Sequence, residues 1–293
     1  AQRERRKQGM KKTTKILLGI SGICGSVGII LLVAGLILGV STAQFWDALS
    51  LDLGGILNGG SRNEASLEAL ESLDDISDPS LLPANWRTTS FSGVKSLSLE
   101  MDSGAVRMET YDGDEIQVCV QRDDQRTRME MDGSCLEITQ KDRKVFRQAG
   151  KAVKIYIPED ISFEDVDMDL GATEFESDGF SAREISAQVG AGVLNIDGRI
   201  TARESSWEVG MGVLNLGVLD CETTRLETGM GTAQVTLQGS QQDYELDGDL
   251  GMGSLDFGDF SGSMPGDHRV NEGADRTVRA SCGMGEVEID FTE

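Results

Sequence analysis

The chain has 293 residues, 39% of them hydrophobic, with 50 acidic against 27 basic residues and a formal net charge of −23. Seven bases and one acid fall within residues 1–15, which leaves 20 of the 27 basic and 49 of the 50 acidic residues beyond Lys15, a net −29. A surface so charged repels nucleic acid and anionic lipid headgroups and suits cations or cationic peptides, or serves plain solvation.

Residues 1–15 (Arg3, Arg5, Arg6, Lys7, Lys11, Lys12 and Lys15 with Glu4) read as a basic cytoplasmic segment. Residues 16–40 contain no charge, and a helix over those 25 residues would span roughly 37 Å, enough to cross a bilayer with some tilt. Phe45 and Trp46 follow at the place of an aromatic belt. Ser41-Thr42-Ala43 also satisfies the small-residue rule of a cleaved signal peptide, but the apolar run far exceeds the roughly 7–15 residues of a signal core. The expectation is one uncleaved transmembrane helix, a cell-membrane protein crossing once, with everything after Ser41 extracellular. Residues 41–86, rich in Gly, Ser, Asn and acids, read as a flexible acidic tether in which 65–73 could form a short helix.

From residue 87 to 293 the pattern is all-β. Val94–Leu99 and Glu115–Val120 alternate with period two, Met129–Ile138 reads as a hairpin about Asp132-Gly133, and Val153–Ile157 alternates until Pro158 stops it. Gly-x-Gly then recurs at Gly190-Ala191-Gly192, Gly210-Met211-Gly212, Gly229-Met230-Gly231, Gly251-Met252-Gly253 and Gly283-Met284-Gly285, at intervals of 20, 19, 22 and 32 residues. Each copy opens a short alternating strand. Leu194, Leu214, Ala233, Leu255 and Val287 face inward in one row, with Ile196, Leu216, Val235, Phe257 and Ile289 beside them. Gly104–Met108 and Gly171–Phe175 look like degenerate earlier copies. Such periodicity predicts a single-stranded β-solenoid with rungs of about 20 residues, concentrated in 165–293, with glycines at the corners. Met211, Met230, Met252 and Met284 are expected as a buried corner stack, with an exposed, adaptable contact surface as the alternative.

The strand-and-proline Val153–Pro158, the serial Gly-x-Gly strands and the closing Cys282–Phe291 resemble the bacterial putative-adhesin domains, a β-solenoid family without assigned chemistry that is often anchored in Gram-positive membranes. The resemblance covers about 200 residues and implies a non-catalytic binding or scaffolding role at the cell envelope. Some relatives act in envelope-stress and antimicrobial-peptide responses, which implies a sensor of cationic peptides as the alternative. A carbohydrate-active β-helix enzyme is the third reading, and would need carboxyl pairs about 5–10 Å apart.

The residues themselves nominate no catalytic, cofactor or metal site. His268 beside Asp267 has no nucleophile elbow to serve. Gly190-Ala191-Gly192 lacks the third glycine of a dinucleotide fingerprint. Asp165, Asp167, Asp169 and Glu176 imitate a calcium loop, but Leu170 stands where that loop needs glycine, so a strand with Val166, Met168 and Leu170 inward is expected. Cys119 and Cys135 alternate outward and could pair, and Cys282 reads as a small buried apolar residue. Envelope components or cationic peptides are the expected partners, and an acidic face over Glu174, Asp256, Glu286 and Glu288 the expected contact.

Overall fold

Period-two alternation dictates strands from residue 86 onward, and the protein builds one mixed sheet of sixteen of them among the described residues. The computed structural model describes residues 60–73, 76, 78–141 and 151–292. The first strands are β1 (Trp86–Phe91), β2 (Ser96–Tyr111), β3 (Ile116–Gln121), β4 (Thr127–Asp132), β5 (Cys135–Gln140) and β6 (Lys151–Pro158). The expected hairpin forms: β4 and β5 pair antiparallel from Asp132↔Cys135, with Gly133 at φ +63° in the turn. Three long strands follow, β7 (Ser162–Val189), β8 (Val193–Val209) and β9 (Val213–Thr228). The last seven are β10 (Thr232–Leu237), β11 (Tyr244–Leu250), β12 (Ser254–Phe257), β13 (Phe260–Gly262), β14 (Gly266–Val270), β15 (Arg276–Cys282) and β16 (Glu286–Phe291).

The centre is parallel and in register. Val106 of β2 pairs with Phe175, Phe175 with Leu194, Leu194 with Leu214 and Leu214 with Ala233, then Val287 and Leu255 complete the row. All seven are at most 1% exposed, so the inward row read from the repeats is the core itself. Each strand presents only a few apolar side chains, and burial is complete only because neighbours in the sheet supply the next ones. Val166, Met168 and Leu170 are buried in the same way on β7.

The single-stranded β-solenoid is nevertheless overturned. Antiparallel pairs, β1 with β3, β3 with β6, β4 with β5, β11 with β14 and β12 with β13, make the sheet mixed. The repeats also do not stack in chain order. β10 pairs with β16 and β16 with β12, while β9 pairs with β15 and β15 with β11. The unit 276–291 therefore lies between units that precede it in sequence. The longer interval before Gly283 holds β13 and β14, which pair antiparallel with β12 and β11 at the end of the sheet. Periodicity reports what each repeat buries, not which repeat it meets.

The transmembrane expectation is also corrected. No helix among the described residues is long and apolar enough to cross a membrane. The expected span, 16–40, lies outside the described residues, so the structure gives no support to a single-pass anchor, a cell-membrane location or an extracellular domain. Within the stretch read as a tether, Gly60–Glu71 forms a helix, α1. Leu70 and Leu73 are buried with Trp86, Ala105, Cys119, Ala152 and Tyr156 in a second apolar cluster on the sheet's other face.

The inward row makes a quantitative expectation. Leu214→Ala should cost about 2–5 kcal/mol through the cavity it leaves, whereas Thr201→Ala, at an exposed position of β8, should stay within about 0.5 kcal/mol. Denaturant unfolding of both variants checks this. Equal losses would mean that the inward–outward register is wrong.

Candidate functional site

The Gly-x-Gly corners leave room for one side chain each. A Cβ at Gly212 would lie 2.4 Å from the Gly192 carbonyl oxygen, and one at Gly285 would lie 2.0 Å from that of Gly231. Backbone contact between neighbouring corners thus excludes any flanking side chain, and the middle residue projects alone. Met211 donates its N–H to Gly190 (2.8 Å), Met230 to Gly210 (2.8 Å), Met284 to Gly229 (2.7 Å) and Met252 to Gly283 (2.6 Å). In space the order is Ala191, Met211, Met230, Met284, Met252, about 4.8 Å per step. The expected buried corner stack is not formed: Met211 is 36%, Met230 38% and Met252 65% exposed, and Met284 is half-buried. The result is an outward methionine ridge.

Carboxylates border the ridge on both sides. Glu208, Glu227 and Asp249 stand three residues before their methionines, in one row with Gln188 and Ser281. On the far side, Glu286 shares a row with Thr232 and Ser254, and Glu288 is flanked by Gln234 and Asp256. Gln234 Nε2 donates to Glu288 (2.8 Å), and Ser261 Oγ donates to Asp256. Asp256, Glu286 and Glu288 of the expected acidic face are therefore brought together. Glu174 occupies the row of Glu286, but Val193, Val213 and Thr232 separate them.

Several carboxyls are held above their ordinary range. Burial raises Glu208, helped by Glu227 and opposed by Arg225. Burial also raises Glu174, Asp167 and Asp169, the last aided by Glu100. A carboxyl whose folded pKa exceeds its unfolded value binds more protons when folded, so stability falls as pH rises through that interval. Asp78 and Asp243 act oppositely, because hydrogen bonds from Ser80 and Ser240 lower them, and their contribution is lost only below the ordinary Asp value of about 3.9. The melting temperature should therefore rise on acidification from neutrality to about pH 5. A fall over that interval in calorimetry would contradict the assignment.

At the other end of the sheet a charge is buried. Lys154 is fully inaccessible, and its Nζ reaches Glu109 Oε2 at 2.8 Å and donates to the carbonyls of Leu73 (3.0 Å) and Ile76 (3.2 Å). The ammonium also lies 5.0 Å from the Tyr156 ring centroid, and Tyr156 donates its hydroxyl to the Ile76 carbonyl (2.7 Å). The lysine thus ties the chain after α1 to the sheet. Lys154→Ala would leave Glu109 without its buried partner and take one of two donors from each of the Leu73 and Ile76 carbonyls, which keep the Ile76 N–H and the Tyr156 hydroxyl. It should cost about 3–5 kcal/mol and open residues 60–76 to protease before the sheet unfolds. Unchanged protection there would show that the lysine does not hold α1.

The remaining candidates do not converge on chemistry. Cys119 and Cys135 are free thiols and not the bridge considered from sequence. Cys119 neighbours Lys154, which neighbours Arg107, whereas Cys135 neighbours Ser96, eleven residues earlier on β2. Burial pushes the Cys119 thiol up to about 11, which makes it a poor nucleophile. Asp165, Asp167 and Asp169 alternate along extended β7, and Glu176 accepts from Arg107 Nε at 3.0 Å. A ring nitrogen of His268 lies 2.9 Å from the Met264 carbonyl, and the ring packs against Phe260. Two clefts, of about 420 and 1240 Å³, flank Tyr111, the wider lined by Asp78, Thr88, Ser90, Glu115 and Gln117. The Tyr111 hydroxyl there donates to the Glu115 carbonyl (2.5 Å) and accepts from Gln117 (3.2 Å). Among the described residues no group of three or more His, Cys, Asp or Glu is placed to hold a metal ion.

No protein-family model matches the chain, and no curated protein matches it. It is similar to solved structures of a putative cell adhesion protein from Clostridium sporogenes (15% identity, 71% of this chain and 99% of that one, TM-score 0.45) and a putative adhesin from Bacteroides fragilis (13%, 71% and 98%, TM-score 0.40). It is also similar to a putative lipid binding protein from Parabacteroides distasonis (12%, 72% and 98%, TM-score 0.34). None of these reaches a TM-score of 0.5, so none fixes the role of this chain.

Proposed function

We propose that the protein is a non-catalytic binding module whose ligand is a cationic amphipathic peptide or protein segment lying along the methionine ridge. The observation that carries this reading is the ridge itself, an apolar strip one side chain wide with carboxylates among the polar residues on both sides. Methionine is unbranched and adapts its shape to irregular apolar partners. Glu208, Glu227 and Asp249 on one side and Glu286, Glu288 and Asp256 on the other would pair with the partner's lysines and arginines. Membership of the putative-adhesin domains, drawn from the Gly-x-Gly strands and Val153–Pro158, is part of the same proposal.

The experiment separates contact from charge. A cationic amphipathic peptide titrated into the protein should bind at both 0.01 M and 0.15 M salt, weakening but not vanishing as the Debye length falls from about 30 to about 8 Å. Met230→Ser with Met284→Ser should weaken binding at the higher salt by about tenfold. Affinity that disappears at 0.15 M salt, or that ignores the double substitution, reduces the acids to solvation and overturns the proposal.

A further inference from the structure

We propose that the same ridge is a binding site for a soft monovalent cation of the Cu(I) class. Met230 and Met284 are its central pair, with Met211 and Met252 one strand away on either side. This uses a different property of the ridge, its sulfur rather than its apolar surface, and does not depend on the peptide reading.

Four observations lead to it. Hydrogen bonds of 2.6–2.8 Å between neighbouring corners set the methionines about 4.8 Å apart, and three rotatable bonds let adjacent thioethers turn toward one ion. The flanking glycines admit no side chain, since a Cβ at Gly231 or Gly253 would fall 2.4 or 2.2 Å from a neighbouring carbonyl oxygen. Thioether sulfur is therefore the donor the corners present, and thioethers select soft Cu(I) over hard, oxygen-seeking ions. The inward rows that follow the five corners hold Leu, Ala, Val, Ile and Phe, whereas methionine stands at four of the five corners themselves. Finally, the bordering carboxylates raise the local concentration of cations without entering the corners.

Thiols would compete for such an ion, but Cys119, Cys221 and Cys282 are buried and Cys135 is half-buried. The ridge is the accessible sulfur cluster among the described residues. Met131, 38% exposed, pairs with Leu136 in the β4–β5 hairpin away from the ridge and provides an internal control, whereas Met264, 74% exposed, lies in the turn beside the Met252 corner.

The test uses Ag(I), a soft monovalent ion that needs no reductant, added in chloride-free buffer to the full chain carrying Cys24→Ser and Cys135→Ser and labelled at the methionine methyls. The first equivalent should shift the methyl resonances of Met230 and Met284, with smaller shifts at Met211 and Met252, and leave Met131 unmoved. Met230→Leu with Met284→Leu should weaken Ag(I) binding by about tenfold or more while keeping the fold. Because leucine preserves apolar contact, that variant should still bind the cationic peptide, so loss of one ligand is distinguishable from loss of the other. Shifts at Met131, as exposed as Met230, that match those of the central pair overturn the proposal. So does the absence of any ridge shift at one equivalent, or undiminished binding by the leucine variant.

Discussion

Parallel, in-register contact between apolar side chains on neighbouring strands is the constraint from which the rest follows. From Val106 through Phe175, Leu194 and Leu214 to Ala233, Val287 and Leu255, each inward residue is buried by the equivalent residue on the next strand. No single strand holds enough apolar surface to offset the entropy of ordering it, so the sheet stands or falls as a stack. Keeping that register brings the backbones at the corners into direct contact. The contact forces glycine on either side of each corner, and the glycines in turn leave one unflanked side chain projecting outward. Core and ridge are consequences of the same alignment.

The two ends of the sheet solve different problems. At one end, β13 and β14 cover β12 and β11 with antiparallel pairs, so the parallel stack does not finish on a full-length bare edge. Near the other, α1 and the residues after it cover a second face and bring a lysine into an apolar cluster. The charge is tolerated because a carboxylate, two carbonyl oxygens and an aromatic ring surround it. Such an arrangement specifies where the covering segment sits, since a shift of one residue would leave the ammonium short of acceptors.

Much of this was legible in the chain because side-chain alternation is a local property. The inward rows, the Asp132-Gly133 hairpin, the stop at Pro158 and the burial of Cys282 all follow from a few consecutive residues. What failed is what no local pattern encodes. Cys119 alternates outward from β3 as read and Lys154 is its neighbour on β6, yet both are buried because α1 covers that face. The exposure of the methionines depends on what lies beyond the corner, and periodicity is silent on that. The stacking order of the last repeats was missed for a related reason, since equivalent units are interchangeable to any reading that only recognises their equivalence.

That order has a consequence for how the protein is assembled. The unit 276–291 is wedged between β9 and β10 on one side and β11 and β12 on the other, although all four precede it in the chain. Until it arrives, β11 and β12 have only β14 and β13 as partners and no seat on the growing sheet. Successive repeats can add as they emerge up to β10, after which the process must wait. The late unit is thus a keystone: a chain interrupted near residue 275 would carry two unmatched strand edges, open to the equivalent unit of another molecule.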